Sequence, residues 1–125
     1  MITGGRAPAL PDGRRAAGGG IRNATVANLI SIAVNRNTAD GGGGGIHNEG
    51  PGRMLLMNSG VAFNDSPSGC GGGVWNIGRA GLLGSYIAAN TADTGGGVCA
   101  ASALGDSENP FLTRMTTIAA NHAEF

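Results

Sequence analysis

Aliphatic residues along this chain fall in short runs that return at a nearly fixed interval. The phrase GGGI occupies residues 18–21 and 43–46, and GGGV occupies 71–74 and 95–98, so the aliphatic recurs after 25, 28 and 24 residues. Ile21, Ile46 and Val74 are each followed two positions on by Asn, at Asn23, Asn48 and Asn76, while Val98 is followed by Ala100. A second phrase, an aliphatic with Asn three later, alternates with the first: Val34 to Asn37, Val61 to Asn64, Ile87 to Asn90 and Ile118 to Asn121. It continues as NTAD from Asn37 and Asn90 and as NHAE from Asn121. Between the phrases stand apolar doublets, Leu29 with Ile30, Leu55 with Leu56, Leu82 with Leu83 and Phe111 with Leu112. Ser59, Ser85 and Thr116 sit two before the second aliphatic, where the first copy has Ile32. Each run is short, rich in Val, Ile and Leu, and bounded by Gly, Asn or Asp, which predicts strands and turns with no helix.

A short strand cannot bury an apolar face alone, but identical units stacked in register place each aliphatic over its equivalent one layer away. The pattern therefore predicts an all-β coil of parallel sheets with about four turns over residues 18–125. Residues 1–17 form an irregular lead-in or part of a preceding coil. Ile21, Ile46, Val74 and Val98 are expected in one interior column, and Val34, Val61, Ile87 and Ile118 in another. Corners between the strands need positive φ and close approach of backbones, which Gly supplies and Asn tolerates. Asn repeated at one corner can also hydrogen-bond its neighbours as a ladder.

Composition changes this picture only at the edges. Glycine, 25 residues of 125, is far above the roughly 7% usual in soluble proteins, and corners account for it. A net charge of zero with 13% charged residues lacks the electrostatic footprint of a nucleic-acid binder. All eight basic residues are Arg, a usage that reads as the codon bias of a GC-rich bacterial genome. No stretch is long and apolar enough to span a membrane, and the first residues carry no signal peptide.

The alternating phrases resemble the right-handed parallel β-helix, and within it the repeats of bacterial polymorphic outer-membrane-type surface proteins. That family favours Phe before x-x-Asn, where this chain has Val or Ile. The resemblance covers Gly18 to Phe125 and implies a cell-surface or secreted location as part of a longer exported chain. No amphipathic capping helix precedes Gly18, and NHAEF stops where the phrase elsewhere runs on into glycine. The chain is thus expected to be a piece of a larger protein, marginally stable alone and inclined to associate end to end.

Candidate chemistry is sparse. The five glycines Gly41–Gly45 are not a phosphate loop, because no Gly-Lys-Ser/Thr follows and the chain has no Lys. β-Helices also carry glycosidases and polysaccharide lyases, and Asp93 and Glu124, at the same repeat position, would lie roughly 5 Å apart on adjacent layers, in the range of a retaining carboxylate pair. Acidic residues after a turn Asn are ordinarily solvated, and no Arg or His column faces them, so they remain weak catalytic candidates. His47 and His122 occupy unrelated repeat positions and are read as surface residues. Nothing indicates a metal or cofactor. Cys70 precedes its coil's Val74 by four residues and Cys99 follows Val98 by one, so stacking does not align them, and a disulfide is left open. Trp75 shares an outward slot with Arg22, His47 and Cys99 and is the candidate contact residue. The chain is read as a non-catalytic stalk or adhesin-like segment whose partner is a carbohydrate or a host or cell-surface protein. The alternative is a fragment of a carbohydrate-active enzyme.

Overall fold

The computed structural model describes residues 1–7, 16–100 and 111–123. Every regular element among them is a short strand, and every pairing is parallel. The strands build a β-solenoid of about three turns, fewer than the four expected, with partial turns on either side. Each turn visits four sheets in order. The first sheet holds Ile21–Asn23, Ile46–Asn48, Val74–Asn76 and Val98–Ala100. The second holds Val26–Ile30, Arg53–Met57, Arg79–Leu83 and Phe111–Arg114. The third holds Ala33–Asn35, Gly60–Ala62, Tyr86–Ala88 and Thr117–Ala119, and is extended by Ile2–Thr3. The fourth holds Thr38–Ala39, Asp65–Cys70, Thr91–Thr94 and His122–Ala123, and is extended by Arg6–Ala7.

Register follows the repeat phase. Ile21, Ile46, Val74 and Val98 are direct partners along the first sheet. Ile2, Val34, Val61, Ile87 and Ile118 are direct partners along the third. A third file, Leu29, Leu56 and Leu82, closes the interior from the second sheet. Val34, Ile46, Leu56, Val61, Val74 and Ile87 are completely buried, and each such side chain contributes about 1.5–3 kcal/mol over its exposed state. Ile118 corrects the expectation of an interior residue: it keeps the register but is 46% exposed, because its strand is paired on one side, by Tyr86–Ala88, and lies at the edge of its sheet.

Two Asn files run up the corners. Asn37, Asn64, Asn90 and Asn121 form one. In it the side-chain oxygens of Asn64, Asn90 and Asn121 each accept from both the backbone N–H and the Nδ2 of the Asn one rung earlier, at 2.9–3.0 Å, while that of Asn37 accepts from the Gly5 N–H. Each Nδ2 also donates to the carbonyl three residues before the neighbouring Asn: Asn64 to Val34 and Asn90 to Val61. Asn23, Asn48 and Asn76 form a shorter file with Nδ2 to Oδ1 distances of 2.8 and 2.7 Å. Apart from the half-buried Asn121, these residues are buried, so each amide would be a liability without its partners. Ser59 and Ser85 make a third file, the Ser59 hydroxyl accepting from Ile32 N and the Ser85 hydroxyl from Ser59 N.

The corners differ from expectation in one respect. The repeat Asn residues do not take positive φ; the residues just before them do, at Arg36 (56°), Phe63 (55°), Ala89 (54°) and Ala120 (54°). Asn is kept at the next position for its amide, which spans two rungs, and not for its tolerance of the left-handed region. A second corner is left-handed at Ser31, Asn58, Gly84 and Met115, and a third at Gly18, Gly43, Gly71 and Gly95. The glycine triplets thereby divide into two jobs. Gly43 supplies φ of 60°, whereas a Cβ on Gly44 would collide with the Asp65 carbonyl and one on Gly45 would come within 2.7 Å of the Gly73 oxygen in the next rung. The five-glycine run is therefore a folded corner.

Candidate functional site

The outward slot of the first sheet is a file of chemistry-bearing side chains: Arg22, His47, Trp75 and Cys99 in direct register. Their stacking has closed the slot more than alternation implies. Trp75 is half-buried rather than exposed, its indole stacked on the His47 ring with centroids 4.3 Å apart and planes at 27°. It also covers the glycine corner beneath, since a Cβ on Gly42 would lie 2.7 Å from the ring. That cover leaves His47 only 5% exposed, which corrects its reading as a surface residue. His47 Nδ1 lies 3.3 Å from the Trp75 carbonyl oxygen. Burial holds the imidazole below its ordinary value of 6.5, with the Trp75 carbonyl and Glu49 opposing and Arg22 assisting. Arg22 and Glu49 form an ion pair at the edge of the same face.

Cys70 and Cys99 form a disulfide, with Cα atoms 5.6 Å apart. Repeat phase alone misplaces Cys70. The strand Asp65–Cys70 is irregular, shifting register between Ser66 and Cys70 against its neighbour. The corner at Gly71 then curls back over the strand that follows, so that a Cβ there would strike the Val74 carbonyl. The residue before that corner is carried toward the outward slot of the first sheet, where Cys99 stands. The bridge ties one turn to the next beside Trp75.

The carboxylate pair is not assembled within the described residues. Asp93 is half-buried on the fourth sheet, and Glu124 lies outside them. His122 stands on the terminal rung, exposed and away from the His47 file. Among the described residues no group of three or more His, Cys, Asp or Glu could hold a metal ion, and no helix is long and apolar enough to cross a membrane.

A feature missed by the sequence lies on the outer face of the second sheet. Arg53 and Arg79 are register partners, both exposed, with Val26 continuing their file. The next outward file is Asn28, Leu55 and Gly81. The missing side chain at Gly81 leaves an open hollow of about 300 Å³ bordered by Val26, Asn28, Arg53, Leu55, Arg79 and Gly81. The signal for it was the phase of the apolar doublets. Leu29 and Leu82 face inward as first members of theirs, but in the second copy the inward residue is the second member, Leu56, so Leu55 faces out.

No family model, curated protein or solved structure matches this chain.

Proposed function

We propose that the chain is a non-catalytic segment of an exported β-solenoid, a stalk or adhesin-like surface on a bacterial cell or in its secretions. The observation that carries this reading is the Cys70–Cys99 disulfide between successive turns. Disulfides form and persist in oxidising compartments and are rare in the reducing cytosol. A rod of stacked rungs, with apolar files inside and Asn files at the corners, further suits a mechanical spacer whose sides are available for contact. The polymorphic outer-membrane-type resemblance points the same way.

Fractionating producing cells, followed by thiol alkylation under non-reducing conditions, tests the reading. The chain is expected in the outer-membrane or secreted fraction with Cys70 and Cys99 protected from alkylation. Recovery in the cytosol with both thiols free overturns it. The enzyme alternative is tested separately: purified protein is expected to leave pectin, alginate and related polysaccharides intact, and cleavage abolished by Asp93→Asn would replace this reading with that one.

A further inference from the structure

On the outer face of the third sheet, Ala33, Gly60, Tyr86 and Thr117 stand in direct register, a file with one large side chain. The outer end of the Tyr86 ring lies across Gly60 one rung earlier, since a Cβ there would collide with Cζ and the hydroxyl oxygen of the ring. Gly60 is not one of the left-handed glycines, so it is the ring that requires a glycine here. Tyr86 is thus seated on its neighbour and still 48% exposed. Alongside runs the left-handed corner of Ser31, Asn58 and Gly84. The small residues Ala33 and Gly60 leave an open hollow of about 370 Å³ between this corner and the ring. Small-molecule sites span about 300–1,000 Å³. No Asp, Glu, Lys, Arg or His borders the hollow. Its exposed polar groups are the Ser31 hydroxyl, the Asn58 amide and the Tyr86 hydroxyl, none of them hydrogen-bonded within the described residues.

We propose that this hollow is a binding subsite for a neutral glycan, in which an uncharged sugar ring packs its aliphatic C–H face on Tyr86. The face of an aromatic ring is electron-rich, so it attracts the polarised C–H bonds of a sugar while apolar area leaves water. Asn58 and Ser31, at the corner beside the ring, each donate and accept, as sugar hydroxyls do. Uronates and sulfated sugars are disfavoured, because a charge brought here would lose hydration with no cation to replace it. A protein partner is disfavoured too, since a stable interface covers about 800 Å² per side around an apolar centre, and here one ring borders a polar corner. Because the ring is already seated on Gly60, binding has little side-chain freedom to remove. The subsite rests on the reading of the chain as an exported contact surface, and gives that surface a ligand class.

The experiment is titration of the intact chain by calorimetry and proton NMR at low and physiological salt. Its probes are oligomers of glucose, of mannose and of N-acetylglucosamine, with a polyuronate oligosaccharide of equal length. At least one neutral oligomer is expected to bind, with an affinity indifferent to salt, and to shift the ring-proton resonances of the chain's single Tyr. Tyr86→Ala should weaken binding about tenfold or more through lost apolar contact. Ala33→Leu fills the hollow from an outward strand position, so this variant should fold and bind as weakly. Asn58→Gly keeps the left-handed corner while removing the amide, and should weaken binding about threefold or more. Phe63→Ala removes an exposed aromatic from a different corner and should leave binding unchanged. Failure of every neutral oligomer to bind, tighter binding of the polyuronate, wild-type binding by Ala33→Leu, or equal weakening by Phe63→Ala and Tyr86→Ala overturns the proposal. The location test above is indifferent to these titrations, so an exported, disulfide-linked chain that binds no glycan would leave the stalk reading intact.

Discussion

Asn64 Nδ2 donates to Asn90 Oδ1 at 2.9 Å, and the same oxygen accepts the Asn64 backbone N–H at 2.9 Å. One buried amide thus satisfies two donors in the adjacent turn while its own Nδ2 reaches the Val61 carbonyl at 2.9 Å. The rungs are held in register by this reciprocity as much as by the apolar columns. A file of aliphatics resists sliding across the rungs only weakly, whereas an amide with three fixed partners has one register in which all are made.

Replacing Asn64 separates the two roles of the amide. Asn64→Ala leaves Asn37 N and Nδ2 without their acceptor and Val34 O without its donor, and should cost about 3 kcal/mol or more in urea denaturation. Asn64→Asp keeps the acceptor but points an oxygen at the Val34 carbonyl and Asn90 Oδ1. Its carboxyl should therefore be held above the usual value of about 3.9, giving a protein whose melting temperature, measured against the wild type at the same pH, recovers as pH falls from 7 to 4. Equal stability of wild type and Asn64→Ala would remove the ladder from the account.

The interior columns make a contrast within one file. Val61 is completely buried and Ile118, its equivalent two rungs on, is 46% exposed. Val61→Asp should unfold or aggregate the chain, because it buries an unpaired charge. Ile118→Asp should cost no more than about 1 kcal/mol, the scale of an exposed substitution. Circular dichroism melts of the two variants check this, and similar melts would contradict the column.

Much of the fold could be read from the sequence because it depends on phase alone. Ile21, Ile46 and Val74 have the same neighbours in every turn, so residues spaced by the repeat must stack. The left-handed corners at Arg36, Phe63 and Ala89 were hidden because their side chains share no residue type, although the Arg36 guanidinium lies 5.8 Å from the Phe63 ring. The disulfide was hidden by an irregular strand between Ser66 and Cys70, and the Arg53–Arg79 hollow by a one-residue change of phase at Leu55. Such offsets between copies decide which way a side chain points, and period counting averages them away.

The hidden corners carry their own test. A non-glycine residue in the left-handed region costs about 1–2 kcal/mol, and a glycine there gives back part of that gain as unfolded-state entropy, about 0.4–1 kcal/mol. Ala89→Gly, at φ 54°, should thus raise stability by about 0.5–1 kcal/mol. Ala88→Gly, one residue earlier in a strand, should lower it by a similar amount. A higher denaturation midpoint for Ala89→Gly and a lower one for Ala88→Gly is the expected pair of results.

The disulfide closes a loop spanning 29 residues, for which chain-entropy arguments give about 3–4 kcal/mol. Cys70→Ser should lower the denaturation midpoint accordingly, and reduction of the wild type should match it. Because Cys99 is the register partner of Trp75, the same reduction should change the fluorescence of the chain's single Trp before the fold is lost. An unchanged emission spectrum on reduction would place the bridge away from the indole.

His47 supplies the pH dependence. Burial under Trp75 disfavours its charged form, so the folded protein binds a proton less readily than the unfolded chain, whose imidazole titrates at the ordinary 6.5. Where the unfolded state binds more protons, stability falls as pH falls. Stability should therefore be level above about pH 7, decline as the pH drops through 6.5, and level off again once the folded imidazole is itself protonated. Groups facing the ring set the depth of this decline in opposite senses. Arg22 adds to it by repelling the imidazolium, while Glu49, ion-paired to Arg22, reduces it. Glu49→Gln should thus steepen the loss, and His47→Gln should flatten the curve between pH 7 and 5 even if its absolute stability is lower. Urea midpoints at several pH values for the wild type and both variants measure this, and a wild-type curve as flat as that of His47→Gln would show that the ring is not held neutral by its burial.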